Sequence, residues 1–261
     1  MIDVKHIQAG YGKKIVVNDV SFTLEPGEVF CLLGPNGVGK TTLFKTILGF
    51  LPRISGDIFL EGNVMVHSDR KRLAQYIGYV PQVHEPPFPF KVMDVVVMGG
   101  LARSGLFSGP TKKDRLQAEA ILDSLKISYL KDAVYTEISG GERQMVLIAR
   151  ALMQKPRYLM MDEPTSNLDY GNQMRVLKQI RRLSKQGIGV IMTTHFPDHA
   201  FLCCTKAAIL SRTKPFHAGP VEEIVTEANL YDAYKTPVKI ADIPAPETAL
   251  KKVTACVPIL E

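Results

Sequence analysis

The sequence predicts an α/β fold with a helical insertion, and three observations carry that prediction. Continuous apolar runs at Val29–Leu33, Tyr158–Met161 and Gly189–Thr194 have the composition of strands buried on both faces. Between the second and third runs, Val176, Leu177, Ile180 and Leu183 recur at helical spacing. The glycine-rich stretch Gly34–Thr41 lies directly after the first run and opens a segment, from about Lys40 to Phe50, that reads as a helix.

The remaining elements follow in order. The N-terminal 35 residues read as strands: Ile15–Val17 and Val20–Leu24 are β-rich, and Pro26-Gly27 marks a turn. Residues from about 85 to 154 differ. Glu85–Phe90 is rich in proline and phenylalanine. Thr111-Lys112-Lys113-Asp114 has the form of a capping box, and Leu116, Ala120, Ile121, Leu122 and Leu125 then recur at helical spacing. A second helix is expected from near Gly140 to Met153. This stretch reads as a helical subdomain inserted in a core of residues 1–84 and 155–236. After about Thr236 no periodic signal is present, and residues 237–261 form a tail whose role the sequence leaves open.

Composition bounds the answer. At roughly 150 residues per domain, 261 residues suggest one large domain, or a core with a subdomain. With 46% hydrophobic and 22% charged residues the chain can bury a sizeable core. The longest runs free of Asp, Glu, Lys and Arg are 12 residues, as in Gln186–Pro197. A bilayer span needs about 20. Met1–His6 lacks the apolar region of a secretory signal, so an integral membrane protein and a secreted protein are both disfavoured. The net charge of +6 is scattered among acidic residues, and no nucleic-acid partner is expected. Cys31, Cys203, Cys204 and Cys256 show no zinc or redox spacing.

Gly34-Pro35-Asn36-Gly37-Val38-Gly39-Lys40-Thr41 matches G-x-x-x-x-G-K-[ST] in the context that pattern needs, after a buried strand and before a helix. Glycines let successive N–H groups close on phosphate oxygens, and the helix N-terminus adds to the same field. Lys40 supplies a point charge and Thr41 a hydroxyl for Mg²⁺. Leu159-Met160-Met161-Asp162-Glu163 puts two carboxylates at a strand end. In such a site Asp162 would hold Mg²⁺, and Glu163 would orient or deprotonate an attacking water. Taken alone, the pair would read as solvated acids.

Ile138-Ser139-Gly140-Gly141-Glu142-Arg143-Gln144 lies within the helical insertion, 19 residues before Glu163. With the two preceding motifs it resembles the signature of ATP-binding cassette (ABC) ATPases, a resemblance that covers nearly all of residues 1–230. Ser139-x-x-Glu142 also reads as a helix capping box. The resemblance assigns further positions. Tyr11 matches the aromatic loop that stacks on adenine, although an edge-strand aromatic would look the same. Gln82 matches the glutamine loop and contributes to the Mg²⁺ site. Ser166-Asn167-Leu168-Asp169 matches the D-loop, and His195 the switch histidine. Gly34 to Thr41 together with Thr42 would hold ATP, while Ser139, Gly140, Gly141 and Glu142 would meet the ATP of an opposite subunit. His195 and His199, four apart, superficially suggest a metal pair. Phe196 stands where a zinc protease needs Glu, and Pro197 disturbs the helix such a pair requires.

The resemblance implies a P-loop NTPase core with an N-terminal antiparallel β subdomain and an inserted helical signature subdomain. It implies ATP and Mg²⁺ as ligands and hydrolysis in a head-to-tail dimer. It also implies a separate integral membrane permease, an indirect substrate-binding protein, and a peripheral position on the cytoplasmic face of the membrane. Only 56 residues separate Gln82 from Ser139, so no long coiled coil is inserted there. Val92–Gly100, Leu106-Phe107, Pro110–Asp114 and Asp169–Gln173 look like the branch serving iron-siderophore, haem and cobalamin importers. Gly100 departs from that branch, where arginine is usual. Oxyanion importers, and soluble cassette ATPases that act as assembly switches, are the rival readings.

Overall fold

The computed structural model describes residues 1–66, 69–82, 88–101, 109–245 and 251–259. Strands β1 (Ile2–Tyr11) and β2 (Lys14–Leu24) pair as an antiparallel hairpin, with Tyr11 opposite Lys14 at its tip. The two expected segments Ile15–Val17 and Val20–Leu24 are therefore one strand. Strand β3 (Val29–Leu33) leads into α1 (Lys40–Ile47), which stops short of Phe50 at Gly49, a residue with φ +72°. Next come β4 (Arg53–Leu60), β5 (Asn63–Val64), α2 (Arg70–Tyr76) and β6 (Ile77–Val80). The insertion carries α3 (Val92–Met98), α4 (Lys112–Ser124) and α5 (Gly140–Leu152). The core resumes with β7 (Tyr158–Met161), α6 (Tyr170–Lys185), β8 (Gly189–Thr194), α7 (Asp198–Cys203) and β9 (Lys206–Ile209). It closes with β10 (Ala218–Pro220), α8 (Val221–Ile224) and α9 (Glu227–Tyr234). Glu85–Pro87, Leu106 and Phe107, named above, lie outside the described residues.

Two sheets result. One is antiparallel, in the order β2-β1-β4-β5. The other has the order β10-β9-β3-β8-β7-β6, all parallel except β10. The period of two along β3 decides how they pack. Val29, Cys31 and Leu33 face a core shared with α3, α4, α5 and α6. Phe30 and Leu32 face a second core, closed by the antiparallel sheet and by Leu43, Phe44 and Ile47 of α1. Truncating a buried aromatic such as Phe30 to Ala would cost roughly 3–5 kcal/mol. The helical insertion thus shares its core with one face of the parallel sheet. Among the described residues no helix is long and apolar enough to cross a membrane.

The described residues of the tail form two strands. Strands β11 (Val238–Ala245) and β12 (Lys251–Pro258) form an antiparallel pair. Val238, Ile240 and Cys256 lie against the larger core.

Candidate active site

The ends of β3, β6, β7 and β8 meet at the carboxyl edge of the parallel sheet, the crevice where such sheets take ligands. Gly34–Gly39 forms the loop from β3 to α1. Gly34 has φ +149°, and a Cβ there would sit 2.8 Å from the Leu210 carbonyl oxygen. Gly39 has φ +120°, with Val16 and Val17 of β2 about 3 Å from any added Cβ. Only glycine satisfies both the backbone angle and the close approach at these two points. Val38 is buried, Pro35 half-buried, and Asn36 and Gly37 exposed. α1 begins at Gly39 with no side-chain cap, so its first N–H groups stay available to an anion. Thr42 is buried in its first turn. Lys40, 5% exposed, folds back so that Nζ donates to the carbonyls of Gly34 (2.7 Å) and Pro35 (3.3 Å).

Asp162 and Glu163 follow β7. Asp162 is 3% exposed, and its Oδ2 accepts from the Thr41 hydroxyl at 3.1 Å. Its Oδ1 accepts from Thr193 Oγ1 at 2.7 Å. The same Thr193 oxygen accepts the Glu163 N–H at 2.8 Å. Thr193 is fully buried on β8, the strand between β3 and β7, so one hydroxyl fixes both acidic residues. Glu163 needs that restraint because its φ is +45°, a left-handed conformation for a non-glycine residue. Ser166 adds two bonds from its N–H and hydroxyl to the Glu163 carbonyl. The Glu163 carboxylate receives Gln82 Nε2 at 3.1 Å, with Lys40 Nζ at 3.3 Å and His195 Nδ1 at 3.5 Å. Burial, then the Asp162 charge, pushes the neighbouring Tyr79 phenol up to about 12.

These residues fit a nucleotide triphosphate with a divalent cation. The paired hydroxyl and carboxylate of Thr41 and Asp162 are the hard oxygen donors that Mg²⁺ takes. The His195 Nδ1 is buried and makes no hydrogen bond among the described residues, its ion-pair contact being the Glu163 carboxylate at 3.5 Å. His199 does not join it. Its Nδ1 is engaged by the hydroxyls of Thr194 (3.0 Å) and Thr165 (3.4 Å), and burial, then His195, lowers its pKa to about 4. Tyr11 is 52% exposed at the tip of the β1–β2 hairpin. A cleft of about 710 Å³ lies beside that tip, lined by Lys14–Asp19 of β2, Gly37 and residues 210–216.

A second constellation forms at the start of α5. Ser139 caps the helix: its N–H and hydroxyl donate to Glu142 Oε2 at 2.9 and 2.6 Å, and its oxygen accepts the Glu142 N–H. Tyr129 donates to Glu142 Oε1 at 3.0 Å. The bonds from Ser139 chiefly hold the Glu142 carboxyl below its ordinary range. Ser139 and Gly140 are exposed. Gly141 is buried because Asn172 passes it so closely that a Cβ would meet its amide at 2.3 Å. Asp169, the cap of α6, holds Asn172 through both its backbone and its side-chain nitrogen. Leu168 packs near Gly140.

The sequence pattern of the ABC transporter family matches residues 17–166, more than half of the chain. The chain belongs to the ABC transporter ATPases. An ABC transporter ATP-binding protein of Haemophilus influenzae is 42% identical over 236 residues, covering 90% of each chain. A probable iron chelatin transport ATP-binding protein of Helicobacter pylori is 34% identical over 241 residues, covering 92% of this chain and 94% of its own. A solved structure described as a metal-chelate type ABC transporter in an inward-facing conformation superposes with a TM-score of 0.88. It is 31% identical and covers 100% of this chain and 98% of its own. As a member of the family, the chain is an ATP-binding and ATP-hydrolysing transporter subunit.

Within this ABC ATPase, Lys40, Thr41, Gln82, Asp162, Glu163 and His195 come together as one cluster. Ser139 to Glu142 do not join it; they pack on Leu168 and on Asn172, which Asp169 holds. Sequence reading missed Thr193. Its signal was a hydroxyl residue at the end of an otherwise apolar strand, which only the strand order makes meaningful.

Proposed function

We propose that this chain is the nucleotide-binding subunit of an ABC importer. Two copies pair head-to-tail and hydrolyse ATP to drive a metal-chelate-type substrate, such as an iron-siderophore, haem or cobalamin, through a separate integral membrane permease. The subunit sits peripherally on the cytoplasmic face, and a substrate-binding protein delivers the cargo from the other side. The chemistry rests on one observation above others: Gln82, Lys40 and His195 converge on Glu163 beside the Thr41–Asp162 pair. The cargo class rests on the likeness to the iron chelatin transport protein and to the metal-chelate type transporter.

Each role follows from chemistry. The Gly34–Thr42 segment cradles the phosphates through backbone N–H groups and the uncapped start of α1, and Lys40 supplies charge to the β- and γ-phosphates. Tyr11 stacks on the adenine, worth about 1–3 kcal/mol. Thr41, Asp162 and Gln82 would hold Mg²⁺, which would neutralise phosphate charge. Glu163 accepts a proton from the attacking water or orients it, with His195 toward the γ-phosphate. Ser139 and the Gly140 and Gly141 amides meet the γ-phosphate held by the second copy, and Ser166–Asp169 links the two sites. Moving an open/closed equilibrium from 1:99 to 99:1 takes about 5.5 kcal/mol, or roughly 2.8 per ATP. One or two charge-assisted hydrogen bonds at about 1.5–3 kcal/mol each suffice.

Purification with the native membrane partner tests this reading. The expected result is a detergent-dependent complex whose phosphate release rises with a binding protein loaded with a metal chelate. A stable soluble complex without a membrane protein would overturn it.

A further inference from the structure

The phosphate loop is held from outside itself by the C-terminal part of the chain. Tyr234, the last residue of α9, places its hydroxyl 3.0 Å from the Gly34 nitrogen and accepts that N–H. Arg212, just beyond β9, donates from Nη2 to the Gly37 carbonyl at 2.8 Å. Both ends of the Gly34–Gly37 turn are thus pinned by residues more than 170 positions away, outside the stretch that matches the family pattern. An ion pair between Lys214 and Asp232 joins the Arg212 segment to α9.

The hairpin of β11 and β12 secures this clamp at two points. The Ile240 N–H donates to Glu227 in the first turn of α9 at 3.0 Å, and Lys239 pairs with the same carboxylate. The Cys256 N–H donates to Asp198 at 2.7 Å, in the first turn of α7 and three residues beyond His195. Burial raises the Tyr234 phenol, so its hydroxyl stays protonated across the neutral range.

We propose that the C-terminal part of the chain, residues 210–245 with 251–259, is a positioning element of the ATP site, with Tyr234 and Arg212 as the residues through which it holds the phosphate loop. The physical consequence is preorganisation. A loop released at Gly34 leaves a buried N–H unpaired and spends part of its time in forms that do not close on phosphate. Apparent affinity then falls by the fraction lost, while chemistry in the bound state is unchanged. This inference rests on reading Gly34–Thr41 as the ATP site.

The test is Tyr234→Phe, which keeps the ring and removes only the hydroxyl, beside Arg212→Met at an exposed position and Lys40→Ala as reference. The KM for ATP and the Kd for a non-hydrolysable ATP analogue should rise about 5- to 10-fold in Tyr234→Phe and about 3-fold in Arg212→Met, with kcat within about 2-fold. Should Tyr234→Phe fail to fold, Arg212→Met carries the test. Unchanged KM and Kd in a folded variant, or a loss confined to kcat, would overturn the proposal. Lys40→Ala separates the two layers. If it abolishes analogue binding while the other variants are unaffected, the clamp alone is wrong; if it binds normally, the ATP-site reading fails and the clamp with it.

Discussion

Two helix N-termini in this molecule suit an anion, and they are finished differently. α1 opens on Gly39 with no side-chain cap, beside Lys40 and within reach of Asp162, Glu163 and His195 from the same chain. α5 opens on a complete capping box, with the Glu142 carboxylate already bonded to the Ser139 N–H and hydroxyl. The first is prepared for phosphate. The second has the N–H and hydroxyl of its cap residue already taken by its own carboxylate. On the function proposed above, a single subunit would carry one finished half-site and one masked half-site, as suits a machine that closes only when two nucleotide-loaded copies meet.

The largest expected effect tests the finished half. Glu163→Gln should lower kcat by about 10³-fold, within the range for losing a general base, while ATP binding persists. Phosphate release checks this, and turnover within a few-fold of the native rate would remove Glu163 from the role.

A pH effect on stability comes next. The native state lowers His199 from 6.5 to about 4, chiefly by burial. Between those values the unfolded chain binds the extra proton, so stability rises with pH. The contribution is complete above about 6.5 and is lost as pH falls toward 4, by roughly 3 kcal/mol. Thermal unfolding between pH 7 and 4 should steepen accordingly, and His199→Gln should flatten that part of the curve. An equal slope in the variant would assign the dependence elsewhere.

Thr193→Val keeps the shape and removes the hydroxyl that holds Asp162 and the Glu163 N–H. It should cost about 1–3 kcal/mol of stability and roughly 10-fold in kcat, with Thr193→Ser restoring both. Failure of serine to rescue would mean the methyl group, not the hydroxyl, matters.

The smallest effect falls on the masked half. Glutamine can keep the capping box without the charge. Glu142→Gln should therefore lower the ATP needed for half-maximal dimerisation about 3-fold at low salt, less as salt rises. A higher requirement would show that the carboxylate helps rather than competes.

Much of the cluster around Glu163 was legible because its residues are contiguous: Gly34–Thr41 and Asp162-Glu163 stand at fixed spacing between elements with clear apolar signals. The α/β class, the helical insertion and the capping box at Thr111, complete through Asp114, were legible for the same reason. What escaped acts through space. Thr193 matters only because β8 lies between β3 and β7. Tyr234 and Arg212 reach the loop across 200 and 175 positions. The tail hairpin escaped because none of its described residues is fully buried, the half-buried ones on β12 run consecutively from Val253 to Cys256 instead of alternating, and Pro244 interrupts β11.

The comparison between the two half-sites is tested most directly by the oligomeric state of Glu163→Gln with ATP, measured by sedimentation with and without Ser139→Arg. The expected result is an ATP-induced dimer in the single variant and an ATP-bound monomer in the double variant. An unaltered ATP-induced dimer in the double variant would contradict a role for α5 across the interface.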